Sequence, residues 1–167
     1  MITPVYKASL PDMQNTDDNR GANVAIQHVG IHNFKIPMKI KTQAGELLDV
    51  HCSVTGTVSL DAYKKGINMS RIMRTFYEYD ESELNPLTLQ AIVHSYLKNL
   101  DSSSARIAIA FDYPLLHNSL RSGLSGFQYY PVVLETVVTP DTGVRQFIHL
   151  DFVYSSACPC SYELSVH

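Results

Sequence analysis

The sequence has no run of about 18 apolar residues, the length a membrane-crossing helix requires, so no membrane partner is expected. Its first twenty residues, MITPVYKASLPDMQNTDDNR, contain no apolar stretch of the kind a secretion signal needs, and the expected compartment is the cytoplasm. Cysteine is scarce: there are 3, Cys52, Cys158 and Cys160. An odd, sparse set excludes a disulfide framework and leaves thiols for packing, metal binding or nucleophilic chemistry. Neither sign of charge is in excess, with 13 Lys and Arg against 16 Asp and Glu, a net charge of −3 and a pI near 6.1. No nucleic-acid partner is expected from such a balance, and an anionic ligand would need a local basic cluster. Internal repeats, low-complexity tracts, an HExxH pair and the P-loop spacing are all missing.

What is present is enough for one domain with a core: 167 residues, 45% of them hydrophobic. Residues 1–23 carry Pro4, Pro11, Gly21 and a polar run, and read as an irregular arm. Val24–Lys41 alternates with period two, most clearly over Ile36-Pro37-Met38-Lys39-Ile40-Lys41, which predicts a strand with one solvated face. Gln43–Glu46 is a turn, and the Val- and Thr-rich Leu47–Leu60 is the returning strand. Ser70–Tyr79 predicts a short helix, and Asn85-Pro86 opens a second one that runs to Lys98. Ala105–Tyr113 is a third strand and Pro114–Gly126 a loop. Phe127–Thr139 and Gly143–Ser156 are two more strands about the turn Pro140-Asp141-Thr142-Gly143. Two helices inserted midway into an antiparallel meander give an α+β architecture. Several strands read as apolar on both sides, which points to oligomerisation.

Two segments can carry chemistry. In Ser155–Ser165, Cys158 and Cys160 flank Pro159, whose fixed backbone sets the two thiols in a rigid, divergent geometry. A C-x-C pair alone is equally compatible with two small buried side chains. In Lys64-Lys65-Gly66-Ile67-Asn68-Met69-Ser70-Arg71, basic residues gather at a strand-to-helix junction, where unpaired N–H groups and a partial positive charge suit a polyphosphate. The competing reading is a solvated basic turn with Asn68 or Ser70 as helix cap. The histidines are scattered. His28 and His32 share one sheet face, and His51 and Cys52 point to opposite faces. Glu135 and Asp151 lie on apolar strands, where a buried carboxylate and an outward-facing strand position are the two readings, the outward-facing one favoured.

Taken in order, Leu10-Pro11-Asp12-Met13-Gln14, Val29-Gly30-Ile31, Lys65–Arg71 and Ser156-Ala157-Cys158-Pro159-Cys160-Ser161 resemble the landmarks of prokaryotic type IB GTP cyclohydrolases. The resemblance implies a tunnelling fold, with residues 24–167 forming the first of two similar halves. It implies hydrolysis of GTP to formate and 7,8-dihydroneopterin triphosphate. It implies one divalent metal (zinc, manganese or possibly iron) per site and a homo-oligomer, a tetramer, with active sites between neighbours. Cys158 becomes the key thiolate and metal ligand, Cys160 its catalytic support, and Lys65, Ser70 and Arg71 the substrate-binding side. Asn68 stands where the family often has histidine. His167 sits at the wrong offset for the metal-binding histidine that follows the cysteine pair in the family, so further chain beyond it is expected, and this portion alone is expected to be inactive. The alternatives are a related tunnelling-fold enzyme acting on a pterin or deazapurine, and a non-catalytic metal-binding assembly module.

Overall fold

The structure, a computed structural model, describes residues 24–42, 44–79, 81–119, 122–154 and 158–166. The expected arm at 1–23 with its Leu10–Gln14 landmark, the residues 155–157 and His167 lie outside the described residues. Five strands, β1 (Ile26–Lys41), β2 (Leu47–Leu60), β3 (Ala105–Asn118), β4 (Ser125–Thr139) and β5 (Gly143–Leu150), form one sheet in the order β1-β2-β3-β4-β5. Every neighbouring pair is antiparallel. Helices α1 (Met69–Tyr77) and α2 (Pro86–Leu100) lie between β2 and β3 in the chain, and α3 (Pro159–Val166) follows β5. The α+β meander with two inserted helices is the expected one.

Local chemistry sets these elements. The β1–β2 turn closes through Gly45, at φ +86°, a backbone region open to glycine at no steric cost. Asn68 caps α1 by accepting from the Ser70 N–H at 3.2 Å, and Asn85 caps α2 by accepting from Thr88 N–H at 2.9 Å. Pro86 occupies the first turn of α2, where its missing N–H is no loss. Asp101, left-handed at φ 48°, ends that helix.

Alternate residues of the strands bury against the helices: Ile36, Met38 and Ile40 from β1, Val50, Cys52, Val54 and Val58 from β2, Ile107 and Ile109 from β3. They meet Ile72 and Phe76 of α1 and Leu89, Ile92, Val93 and Tyr96 of α2 in one core. Gly56 makes this seating possible. A Cβ there would lie 2.9 Å from the Tyr96 hydroxyl and 3.0 Å from an Ile72 methyl.

Three expectations change. First, the sheet's other face is polar along β1 and β2, and apolar side chains reach it mainly from β4, as Phe127, Tyr129, Val133 and Val137. By strand parity it carries His28 and His32, the row Ser53, Thr55, Thr57 and Ser59, and Arg106 with Glu135. His32 Nδ1 shares a 2.8 Å hydrogen bond with Thr55 Oγ1, and His28 Nδ1 a 3.5 Å one with Thr57 Oγ1. Secondly, the loop expected at Pro114–Gly126 is mostly strand, because β3 and β4 pair out to Asn118↔Ser125. Pro114 is tolerated because β2 pairs with β3 only over Ser53–Val58 and Ala105–Ala110. Beyond Ala110, β3 has a ladder partner on one side alone, so the missing N–H forfeits no bond. Thirdly, β5 stops at Leu150 rather than Ser156. Asp151 N–H donates the last ladder bond, to Pro131 O at 3.1 Å. Phe152 then stacks on Tyr130, with ring centroids 5.7 Å apart and planes 4° from parallel.

Candidate functional site

Cys158 stands at the entrance of α3, with Pro159 in the first turn. Its carbonyl accepts from Ser161 N–H at 2.9 Å and Tyr162 N–H at 3.2 Å, so Cys158 is the N-cap. The backbone N–H of Cys160, then that of Ser161, and the Cys160 side chain also hydrogen-bond its sulfur and hold its pKa below that of an ordinary thiol. A helix start thus favours thiolate at Cys158. Cys160, the second residue of α3, is also exposed, and α3 buries none of its side chains. Cys52, by contrast, is fully buried among aliphatic side chains, which pushes its thiol up to about 12. That makes Cys52 a packing residue.

The second predicted cluster forms around the start of α1. Ser70 Oγ donates to Asn68 Oδ1 at 2.6 Å and accepts from Arg74 Nη2 at 2.9 Å. Arg71 is half-buried, and its Nη1 donates to Asn99 O at 3.4 Å. Lys65 is exposed. Its neighbour Lys64 is structural. It ion-pairs with Asp61 at 3.4 Å and Asp101 at 2.9 Å and donates to the Asp101 carbonyl, tying the end of β2 to the end of α2.

The Lys64–Asp101 tie and the Arg71–Asn99 bond put the start of α1 beside the beginning of β3, and Ile72 packs over Gly56 of β2. Phe152, six residues before Cys158, is fixed on Tyr130, opposite Tyr113 in the distal part of β3.

Among the described residues, no group of three or more His, Cys, Asp or Glu side chains is placed to hold a metal ion. Cys158 offers one sulfur, whereas zinc-type sites draw three or four protein ligands. The described part of one chain thus does not complete a site for the divalent metal that the resemblance implies.

One polar cluster is not apparent in the sequence. Glu135, expected to be outward-facing, is on the helix-free face but is not solvated. Its side chain is only 15% exposed, taking Arg106 Nε on one oxygen at 2.6 Å and His149 Nε2 on the other at 2.8 Å. Partial burial opposes ionisation, but the Arg106 and His149 hydrogen bonds outweigh it and hold the carboxyl below the usual glutamate range. The available signal is a lone charged residue, Arg106 or Glu135, set into each of the apolar runs 105–111 and 131–138. Asp151 is exposed, as read.

These features define an α+β protein with an exposed thiol at one helix start and a basic, hydroxyl-bearing entrance at another. The family profile described as type I GTP cyclohydrolase folE2 matches residues 10–167. The chain belongs to that family. It is 52% identical over 164 residues to the GTP cyclohydrolase FolE2 of Ruegeria sp. (strain TM1040), covering 97% of this chain and 44% of the relative. To the protein of the same name from Ruegeria pomeroyi it is 50% identical over 168 residues, covering 99% and 46% respectively. To that of Roseobacter denitrificans it is 51% identical over 165 residues, covering 97% and 44%. The chain thus spans less than half the length of these curated relatives. Among the described residues, no helix is long and apolar enough to cross a membrane.

Proposed function

We propose that this chain is part of a GTP cyclohydrolase, which converts GTP and water to 7,8-dihydroneopterin triphosphate and formate. The observation that carries the reading is the family match across nearly the whole chain, including the Cys158 segment. Its relatives are named GTP cyclohydrolase FolE2. The finer assignment, a type IB enzyme with a tunnelling fold and a folate-pathway role, belongs to the same proposal. It is supported by two helices covering one face of an antiparallel sheet.

In this reading, water adds at C8 of the guanine, the imidazole ring opens and C8 leaves as formate. The remaining atoms then close to the pterin, with a net uptake of one water. Cys158 serves as the thiolate at the reacting end, ready in that form because helix N–H groups stabilise it. Cys160 supports it. Lys65, Ser70 and Arg71 offset the triphosphate charge at the other end. A divalent metal, zinc, manganese or iron, is the proposed cofactor, with Cys158 as one ligand. An active site assembled between subunits of a homo-oligomer, a tetramer, is part of the same proposal.

The test is formate release and pterin fluorescence from GTP with the full-length protein supplied with zinc or manganese. Wild type is expected to release one formate per GTP, and Cys158→Ala to lose at least about a hundredfold in kcat. Arg71→Ala is expected to raise KM for GTP more than it lowers kcat. Consumption of a pterin or deazapurine without formate from GTP would instead mark a different reaction. Tight metal binding with no turnover would mark an assembly module.

A further inference from the structure

The β1–β2 and β3–β4 hairpins are joined only along Ser53–Val58 and Ala105–Ala110. Past that seam they part, and a cleft of about 1050 Å³ opens between Leu47–Cys52 of β2 and Phe111–Asn118 of β3. Each lip is a strand already paired on its outer side, β2 with β1 and β3 with β4. On the inner side, no ladder partner is present among the described residues. Strand edges of this kind, flanked by apolar side chains, are ones that natural proteins cover.

The walls specify what covers them. Leu48, Val50, Leu115, Leu116, Phe127 and Tyr129 line the cleft, and Leu116, Phe127 and Tyr129 are 55%, 66% and 62% exposed. Between them stand three carboxylates, Glu46, Asp49 and Asp112, with His51. No lysine or arginine is among the described lining residues. A phosphate-bearing ligand is therefore disfavoured here. A six-residue strand is about 20 Å long, and the cleft-lining stretches of both lips are of that order. The β2 lip, Leu47–Cys52, is itself six residues long.

We propose that this cleft is a β-strand acceptor for an extended peptide segment in which basic residues alternate with apolar ones. The inserted backbone pairs with both lips and closes the sheet. Its apolar side chains pack on Leu48, Val50 and Leu115, and its basic ones meet Asp49 and Asp112. Main-chain ladders give such complexes affinity, and the side-chain walls give selectivity. Peptide capture here needs neither Cys158 nor the start of α1, so it stands apart from the GTP reading.

The test uses full-length protein and two capped hexapeptides, acetyl-Lys-Val-Lys-Val-Lys-Val-amide and its Glu-Val counterpart. Binding is followed by fluorescence anisotropy and backbone amide exchange. The basic peptide is expected to bind saturably and to slow exchange at residues 47–52 and 111–118. Its affinity should fall about tenfold from low to high salt, and by a similar factor in Asp49→Asn/Asp112→Asn. The salt series on wild type keeps the test valid should the double variant misfold. Absence of binding, equal binding of the acidic peptide, or protection elsewhere in the sheet would overturn the proposal. So would slow exchange of both lips before peptide is added, which would mean that a second copy or another segment of the same chain already fills the cleft.

Discussion

The part of the molecule between β1 and the seam of β3 and the part beyond it are built on different terms. The first packs strands and two helices into a core in which Ile72, Phe76, Ile92, Val93, Tyr96, Ile107 and Ile109 have essentially no exposed surface. In the second, Val138 is the last buried residue, and Phe127, Tyr129, Ile148, Leu150, Phe152 and Leu164 are largely open to solvent. Yet the open part carries Cys158 and the splayed cleft. The lesson is a division of labour: the closed part supplies stability, and the open part presents chemistry and surface that a single chain does not cover.

The two parts should differ most in thiol reactivity. Alkylation of native protein should modify Cys158 on the order of a thousandfold or more faster than Cys52, followed by mass spectrometry of the peptides. Because helix N–H groups lower the Cys158 pKa, its rate should rise with pH and level off below the pH at which an ordinary thiol does. Comparable labelling of Cys52 would mean that the closed part opens readily.

Stability should divide in the same way. Ile109→Ala is expected to cost about 3 kcal/mol in urea unfolding, since it leaves a cavity in the core, whereas Ile148→Ala, at a side chain 72% exposed, should stay within about 0.5 kcal/mol. Glu135→Gln is expected to cost about 1–3 kcal/mol at neutral pH, because it uncouples Arg106 and His149. The Glu135 carboxyl is held low in the folded state. Its contribution is therefore fully present above the unfolded carboxyl pKa, near about 4.3, and is lost as pH falls through the lower folded value. The gap between wild type and variant should shrink with it. A small effect of the opposite sign is expected at Tyr96, whose buried hydroxyl has no hydrogen-bond partner among the described residues. Tyr96→Phe should leave the melting temperature unchanged or raise it, at about 1 kcal/mol or less.

The closed part is also the legible one. Period-two runs with a Gly45 turn place β1 and β2, and Asn85-Pro86 places the start of α2, because local backbone chemistry decides those boundaries. The distal hairpin reads as a loop in the sequence, since the tolerance of Pro114 depends on which strand does not lie beside it, a fact of tertiary pairing. Helix α3 is hidden because its one local signal, Pro159 as a helix-starting residue, sits between two cysteines that read as a reactive strand end. At the site, the Cys158 segment is legible by residue type. The Glu135 cluster needs register across three strands.

The one-sided pairing of β3 beyond Ala110 also bears on how this lineage can vary. The ribbon from Phe111 to Val132 is tied to the rest of the sheet chiefly at its base, so its length is nearly independent of the core. Lengthening both arms by two residues preserves which side chains face which way, whereas a single insertion inverts them all. Descendants that differ in reach should therefore change this ribbon in even steps, while Gly56 and the helices seated on it stay fixed.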